Sequence, residues 1–344
     1  MSSEDVLRLS RRGALGLAFS GVAIASVASR VPAQSRYGRE VLAFYYGWYG
    51  SPEYSGQWRH WRRPGLIGMK QDPSLHTPTL GAYDSHDPVT LRKHAAMARS
   101  AGITALVATW HGPDGFDDRG LGPLLDAAHA EGIKVAPYIE ASATSPQDAL
   151  RFLSARYRKH PGLLKVEGRP VSFIYTDALN RYPAVQWSAA ATAVESLGQP
   201  RPFLVGDISF RNPAQIAERL PQVDGTHTYV LAAMLQGMST AEMRIWAATY
   251  YPRARRLSEG RLYCATVMPG FDDRLLGRPQ PRPVFDRHGG ETFQILWEGA
   301  IAAQPDWIIV TSFNEWHEGS EIEPSEEYGD SYLKICAEYS EKFL

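Results

Sequence analysis

From Val41 to Phe343 the chain repeats one pattern eight times: a short apolar run, a break, then a stretch with helical spacing. The apolar runs are Val41–Trp48, Ile103–Thr109, Ile133–Ile139, Pro170–Tyr175, Pro202–Asp207, Val223–Tyr229, Leu262–Val267 and Trp307–Ser312. Between and after them, helices are expected at Pro88–Ser100, Leu121–Glu131, Pro146–Lys159, Ala184–Leu197, Pro213–Leu220, Thr240–Leu257, Thr292–Ala303 and Asp330–Phe343. Asp87 before Pro88 reads as an N-cap with proline at the first helical position, and Gly102 and Gly132 close their helices. Strands that are apolar without alternation are covered on both faces, as in a parallel sheet under helices. Eight such units in one chain of this length predict an α/β fold, a single (β/α)8 TIM barrel with long βα loops. No strand runs into a Gly-rich phosphate loop, which argues against a nucleotide-binding sheet. The stretch from Gly50 to Asp87 is long for a loop and carries Trp58, Arg59, His60, Trp61, Arg62 and Arg63. A connection of that length is expected to have a function.

Residues 1–33 read as an address and 34–344 as the catalytic barrel. Ser10-Arg11-Arg12 precedes a small apolar run from Gly13 to Ser29, and Val31-Pro32-Ala33 offers the small residues of a cleavage site. This resembles a twin-arginine-type signal peptide, so the protein is expected to be exported, to a periplasm or beyond. The apolar run is shorter than the roughly 20 residues that span a bilayer, so no membrane span is expected in the mature chain. A net charge of −1 gives no electrostatic case for nucleic acid. Cys264 and Cys336 form no CxxC pair and sit in apolar runs, which favours buried thiols, and no His, Cys or carboxylate spacing fits a metal site. No metal or cofactor is expected, and a monomer is.

In a barrel of this kind the chemistry sits where strands end. The runs end in Tyr45-Tyr46-Gly47-Trp48, Thr109-Trp110-His111, Tyr138-Ile139-Glu140, Tyr175-Thr176-Asp177, Gly206-Asp207, His227 to Tyr229, Met268 to Asp272, and Asn314-Glu315-Trp316-His317-Glu318. Each end alone is an ordinary turn or cap. Eight together form a rim of carboxylates, aromatic rings, amides and imidazoles, the groups that hold sugar hydroxyls and apolar sugar faces. An oligo- or polysaccharide is therefore the expected partner. Breaking a glycosidic bond needs an acid for the leaving oxygen and a second carboxylate at the anomeric centre. Thr311–Ser325 supplies glutamates at 315, 318, 321 and 323 directly after a buried strand. Two other readings stay open on these residues. One is a glycosidase forming a covalent ester with Asp207 or Glu140 as partner carboxylate. The other is an exported carbohydrate-binding barrel without catalysis.

Asn314–Gly319 (NEWHEG) with Ile322–Pro324 (IEP), and Phe44–Gly50 (FYYGWYG), resemble glycoside hydrolase family 99, the endo-α-mannosidases and endo-α-mannanases. Trp110-His111-Gly112 and Tyr138-Ile139-Glu140 support the resemblance, which covers most of the chain after residue 33. It implies a (β/α)8 barrel that cleaves α-mannosidic bonds inside a chain with retention. It also implies that Glu315 deprotonates the mannose 2-hydroxyl, which attacks the anomeric carbon to form a 1,2-anhydro sugar. Glu318 would be the general acid/base, its pKa raised by burial or by Glu315. Trp110 would stack on a sugar in the −2 subsite, with Glu140 and His111 taking hydroxyls and Tyr46 and Tyr229 binding the −1 mannose. Asn314 and Trp316 of the same motif join them as binding residues. Ser320-Glu321 departs from the Thr-Gln that the resemblance implies, so Glu321 is expected to alter the charge of the acceptor subsite.

Overall fold

The computed structural model describes residues 36–344 apart from 62–73, 142–143, 259 and 280. The expected leader in residues 1–33 lies outside them. All eight expected strands form: β1 Glu40–Tyr45, β2 Ala105–Trp110, β3 Lys134–Ile139, β4 Arg169–Ile174, β5 Phe203–Asp207, β6 Gly225–His227, β7 Leu262–Val267 and β8 Trp307–Val310. Each runs parallel to its neighbours, and β8 pairs with β1 from Glu40↔Trp307 to Ala43↔Val310, so the barrel closes.

The main helix following each strand is, in turn, α1 Pro88–Ser100, α2 Phe116–Ala130, α3 Pro146–Tyr157, α4 Ala184–Glu195, α5 Pro213–Arg219, α6 Thr240–Leu257, α7 Glu291–Ala302 and α8 Ser331–Phe343, with shorter helical turns at Pro52–Ser55, Thr176–Arg181 and Ala232–Leu235. The Asp87 carboxylate accepts from the backbone of Val89 and Thr90 at 3.0 and 3.1 Å, the cap expected before Pro88. Helix α2 starts earlier than its sequence pattern indicated. Asp117 and Asp118 stand in its first turn, where a negative charge is favourable, and Pro123 is accommodated inside it. A two-residue hairpin strand, Lys165–Val166, precedes β4, and a second short hairpin joins Phe271–Asp272 to Val284–Phe285.

Strand alternation decides what reaches the site. Leu42, Phe44 and Tyr46, Ala105 and Val107, Ala136 and Tyr138, Val171 and Phe173, and Trp307 and Ile309 pack into the barrel interior. Val41, Ala43 and Tyr45, Leu106, Ala108 and Trp110, and Ile308 and Val310 pack outward against the helices. Cys264 and Cys336 are both buried free thiols. Among the described residues no helix is long and apolar enough to cross a membrane.

Candidate active site

After β8 the chain folds back on itself. Ile322 N donates to Ser312 O and Glu323 N to Phe313 O, at 3.0 and 2.8 Å. The reversal passes through Gly319, whose φ of 57° is left-handed and where a Cβ would lie 2.6 Å from Leu75 Cδ1. Ser312 Oγ accepts from Glu315 N at 2.7 Å, and Glu315 Oε1 accepts from His317 N at 3.1 Å. These bonds fix the segment that carries Glu315 and Glu318.

Both glutamates line one open cleft of about 480 Å3, together with Trp48, Trp58, His60, Trp61, Leu276, Arg278 and His317. The long β1 loop thus does supply a wall. The Trp48 and His60 rings stack at 4.5 Å and the Tyr49 and Trp61 rings at 4.3 Å. A neighbouring hollow of about 260 Å3 shares Trp48 and His60 and adds Arg59, His111, Phe116 and Asp117.

The carboxylates feel each other and their burial. Desolvation, then the charge of Glu318, pushes the Glu315 carboxyl well above the usual range, against the His317 amide. Glu318 is also raised by burial, but Arg278 at 3.5 Å and a hydrogen bond from the Tyr229 hydroxyl at 3.0 Å hold its charge. Such a pair titrates as one unit and keeps a proton between its members over a wide pH range. Burial, offset in part by His111 and reinforced by Glu318, takes Glu140 up to about 8. His111 is raised, because Asp117 at 2.8 Å outweighs the cost of burying the imidazolium. Among the described residues no group of three or more His, Cys, Asp or Glu is arranged to hold a metal ion.

The glycosyl hydrolase family 99 sequence model matches residues 37–334. The chain belongs to that family. This family 99 chain is 25% identical to the glycoprotein endo-alpha-1,2-mannosidase of Rattus norvegicus, over 88% of its own length and 74% of that protein's. It is 27% identical to the Homo sapiens glycoprotein endo-alpha-1,2-mannosidase-like protein, over 91% and 78%. The solved GH99 endo-alpha-mannosidase from Bacteroides thetaiotaomicron superposes with a TM-score of 0.73 at 27% identity, covering 88% of this chain and 97% of that one. The protein is therefore a glycoside hydrolase on a (β/α)8 barrel.

In the family 99 chain the residues picked from the sequence separate into two groups. Tyr46, Tyr229, Glu315 and Glu318 meet: the Tyr46 and Tyr229 hydroxyls hydrogen-bond to each other and Tyr229 continues to Glu318. Glu140 and His111 belong to the same electrostatic neighbourhood. Trp110 does not join them. It is the outward residue at the end of β2, fully buried, with Nε1 donating to Asp118 Oδ1 at 2.8 Å and its ring over Phe152 of α3. Its ring therefore has no face to offer a sugar in the cleft, contrary to the expected stacking role.

Asn314 and Trp316 support the site instead of lining it. Asn314 Oδ1 accepts from Tyr46 N at 2.7 Å, and its Nδ2 donates to Tyr46 O and to the Tyr83 hydroxyl, both at 3.1 Å. Trp316 is fully buried with Nε1 on the same Tyr83 hydroxyl, which in turn donates to Glu323 at 2.9 Å. Glu321 is not a cleft charge either. It is buried against Arg287 at 2.6 Å and His76 at 2.7 Å, so its extra carboxylate is neutralised inside the loop. Asp207, the alternative partner carboxylate, is buried and accepts from Tyr229 N at 3.2 Å. Trp48, Arg278 and His317 line the cleft without having been singled out as binding residues. For Trp48 the signal was available, since it lies two residues beyond the inward-facing Tyr46.

Proposed function

We propose that this family 99 hydrolase cleaves α-mannosidic bonds within a glycan chain, with retention, through a 1,2-anhydro sugar. The observation that carries this reading is the coupled pair Glu315–Glu318, set three residues apart on one loop and lining one cleft. The curated relatives named above, endo-alpha-1,2-mannosidases, supply the sugar and the internal mode of cleavage. The export-like residues 1–33 support a reaction outside the cytoplasm.

Glu315 takes the proton of the mannose 2-hydroxyl as O2 attacks C1, and the bond from C1 to the leaving oxygen breaks. Glu318 gives its proton to that oxygen. Water then enters at C1, losing a proton to Glu318, while the C1–O2 bond opens and O2 recovers its proton from Glu315. Two inversions give net retention. The chemistry needs one proton on the pair, which is what two buried, mutually repelling carboxylates keep. In the free protein Arg278 and Tyr229 bias that proton toward Glu315. A 2-hydroxyl donating to Glu315 stabilises its charge and returns the proton to Glu318. Glu140, at about 8, is mostly protonated at neutral pH and a poor nucleophile, which weighs against it as the partner carboxylate of a covalent route.

The test is product analysis on α-mannans, recording fragment size and anomeric configuration, with trapping by a 2-fluoro mannoside against a cyclic epoxide analogue. Internal fragments with retained configuration, and occupancy by the epoxide analogue alone, are expected. A 2-fluoro ester on Glu140 or Asp207 would overturn the mechanism, and inactivity on every α-mannoside would overturn the substrate.

A further inference from the structure

The long loop after β7 touches Glu318 in two ways. Its short hairpin, Phe271–Asp272 against Val284–Phe285, is tied to the catalytic loop because Asp272 N donates to Glu318 O at 2.8 Å. Between the hairpin strands, Arg278 Nη1 reaches Glu318 Oε1 at 3.5 Å. The same Arg278 nitrogen donates to Asp273 Oδ2 at 3.1 Å, so one guanidinium stands between two carboxylates. Asp273 is completely buried, while the Arg278 side chain is half exposed and lines the cleft.

Capping does not account for Asp273. It stands at the start of the helical turn Arg274–Leu276, but its side chain makes no cap hydrogen bond. Nor does anchoring the loop need a second cation. Arg282 Nε donates to Oδ1 and Oδ2 at 3.0 and 2.9 Å, and Arg282 Nη2 also meets Oδ2, a pairing that already neutralises the buried carboxylate. The contact with Arg278 is surplus to that pairing, and Arg278 is the partner that reaches the cleft. A guanidinium shared between two anions, and held by one of them, gives the other less stabilisation than it would alone.

We propose that Asp273 is a positioning residue for Glu318: by holding Arg278 between them it withholds part of that positive charge, and so leaves Glu318 able to carry the proton that the leaving oxygen takes. This rests on the reading of Glu318 as general acid, but the link from Asp273 to Glu318 is measurable without turnover. The electrostatic directions agree. Arg278 lowers the Glu318 carboxyl against its burial, and Asp273 raises it. Arg278 acts the same way on Glu315, so the two glutamates respond together. Arg282 faces Glu318 from the same loop as Arg278, Glu315 from its own loop and Glu140 from the end of β3. Tyr46, Tyr175 and Tyr229 face it from the ends of β1, β4 and β6.

The pH profile of kcat/KM on an α-mannan oligosaccharide tests the link in the full protein. In Asp273→Asn an anion is gone and Arg278 turns wholly to Glu318, so the alkaline limb should move down by about one pH unit. In Arg278→Gln it should move up. A loosened loop would lower rate and Tm in both variants and would not drive the limbs apart. In Asp273→Asn/Arg278→Gln most of the downward shift should vanish, because the group through which Asp273 acts is absent. Should Asp273→Asn strand Arg282 and fail to fold, Asp273→Asn/Arg282→Gln removes that ion pair together and should shift the limb in the same direction. Carbon-13 NMR titration of the Glu318 carboxyl, assigned by its loss in Glu318→Gln, reads the link directly. A carboxyl that titrates lower in Asp273→Asn while the limb stays put would keep the link and remove the acid assignment. A Glu318 titration unmoved or raised in Asp273→Asn, or lowered equally with and without Arg278, would overturn the proposal.

Discussion

Tyr229 donates its hydroxyl hydrogen to Glu318 Oε2 at 3.0 Å, tying the end of β6 to the loop that follows β8. With that hydrogen committed, Tyr46 must supply the one in the Tyr46–Tyr229 bond. The resulting chain, Tyr46 to Tyr229 to Glu318, polarises in one direction and stabilises a charged Glu318.

Tyr229→Phe removes the last link of that chain. The bond holds Glu318 down against the upward push of burial, so without it Glu318 keeps its proton to higher pH. The alkaline limb of the kcat/KM profile should move upward, by no more than the about 1.5–3 kcal/mol of a hydrogen bond to a charged group. Tyr46→Phe should shift it the same way and less. A profile unmoved in Tyr229→Phe would show that Glu318 is not the titrating acid.

The two glutamates are separable by leaving group. Glu318→Gln should slow natural α-linked substrates by about 10²–10⁴-fold, the usual worth of general acid catalysis. Aryl mannosides with good leaving groups need little protonation and should recover much of that rate. Glu315→Gln should lose both, because the attack on C1 fails. Equal rescue of the two variants by activated substrates would reverse or dissolve the assignment.

The closed barrel was legible because burial on both faces leaves a continuous apolar run, and eight of these alternate with helical spacing. The pair Glu315 and Glu318 was legible because a catalytic acid and base share a short loop. What the pattern hid was direction. A strand end by itself does not show which of its residues face inward: Trp110 packs outward against the helices, and Thr109, next to it, has the inward parity of Val107. Asn314 and Trp316 share a motif with the catalytic pair, and motif membership does not tell a residue that lines a cleft from one that braces it. Arg278 was invisible for a different reason: it comes from the long loop after β7, brought to Glu318 only by tertiary folding. Glu321 looked like added charge because its counter-ion, Arg287, lies 34 residues away in the chain.

Stability should fall with pH because of Glu140. Its carboxyl titrates at about 8 when folded, raised first by burial and then by Glu318 against His111, compared with 4.5 when unfolded. Between these values the unfolded chain releases a proton that the folded one keeps, so the folded state loses ground as pH rises. Glu140→Gln removes that slope. Thermal melts from pH 5 to 8 should show wild type losing of order 1 kcal/mol or more relative to the variant. Parallel curves would mean that Glu140 is ionised in the folded protein at neutral pH.

Trp110 and His111 are neighbours with opposite fates, and substitution should separate them. Trp110→Ala empties a fully buried position between β2 and α3 and should cost about 3–5 kcal/mol of stability. The protein that does fold should keep its KM. His111→Ala, at the hollow beside the cleft, should raise KM and leave Tm near wild type. Melting curves and initial rates on one oligosaccharide series check both. A raised KM for Trp110→Ala with an unchanged Tm would return the indole to the sugar.

Glu321→Gln distinguishes a loop-stabilising charge from an acceptor-site charge. The carboxylate meets Arg287 Nη2 at 2.6 Å and His76 Nδ1 at 2.7 Å, in a pocket where Arg287 also stacks over Tyr328 and Tyr332 at 4.9 and 4.4 Å. Removing one member of a buried ion pair leaves the other uncompensated, at a cost of about 3 kcal/mol or more. The bonds from Arg287 to the carbonyls of Gly319 and Glu321 remain, at 3.0 Å each, and keep the turn after Glu318 in register. The variant should therefore melt earlier while its kcat/KM stays close to wild type below the transition. If Tm holds and the KM for longer acceptors changes, Glu321 faces the substrate and the ion pair with Arg287 is not what anchors it.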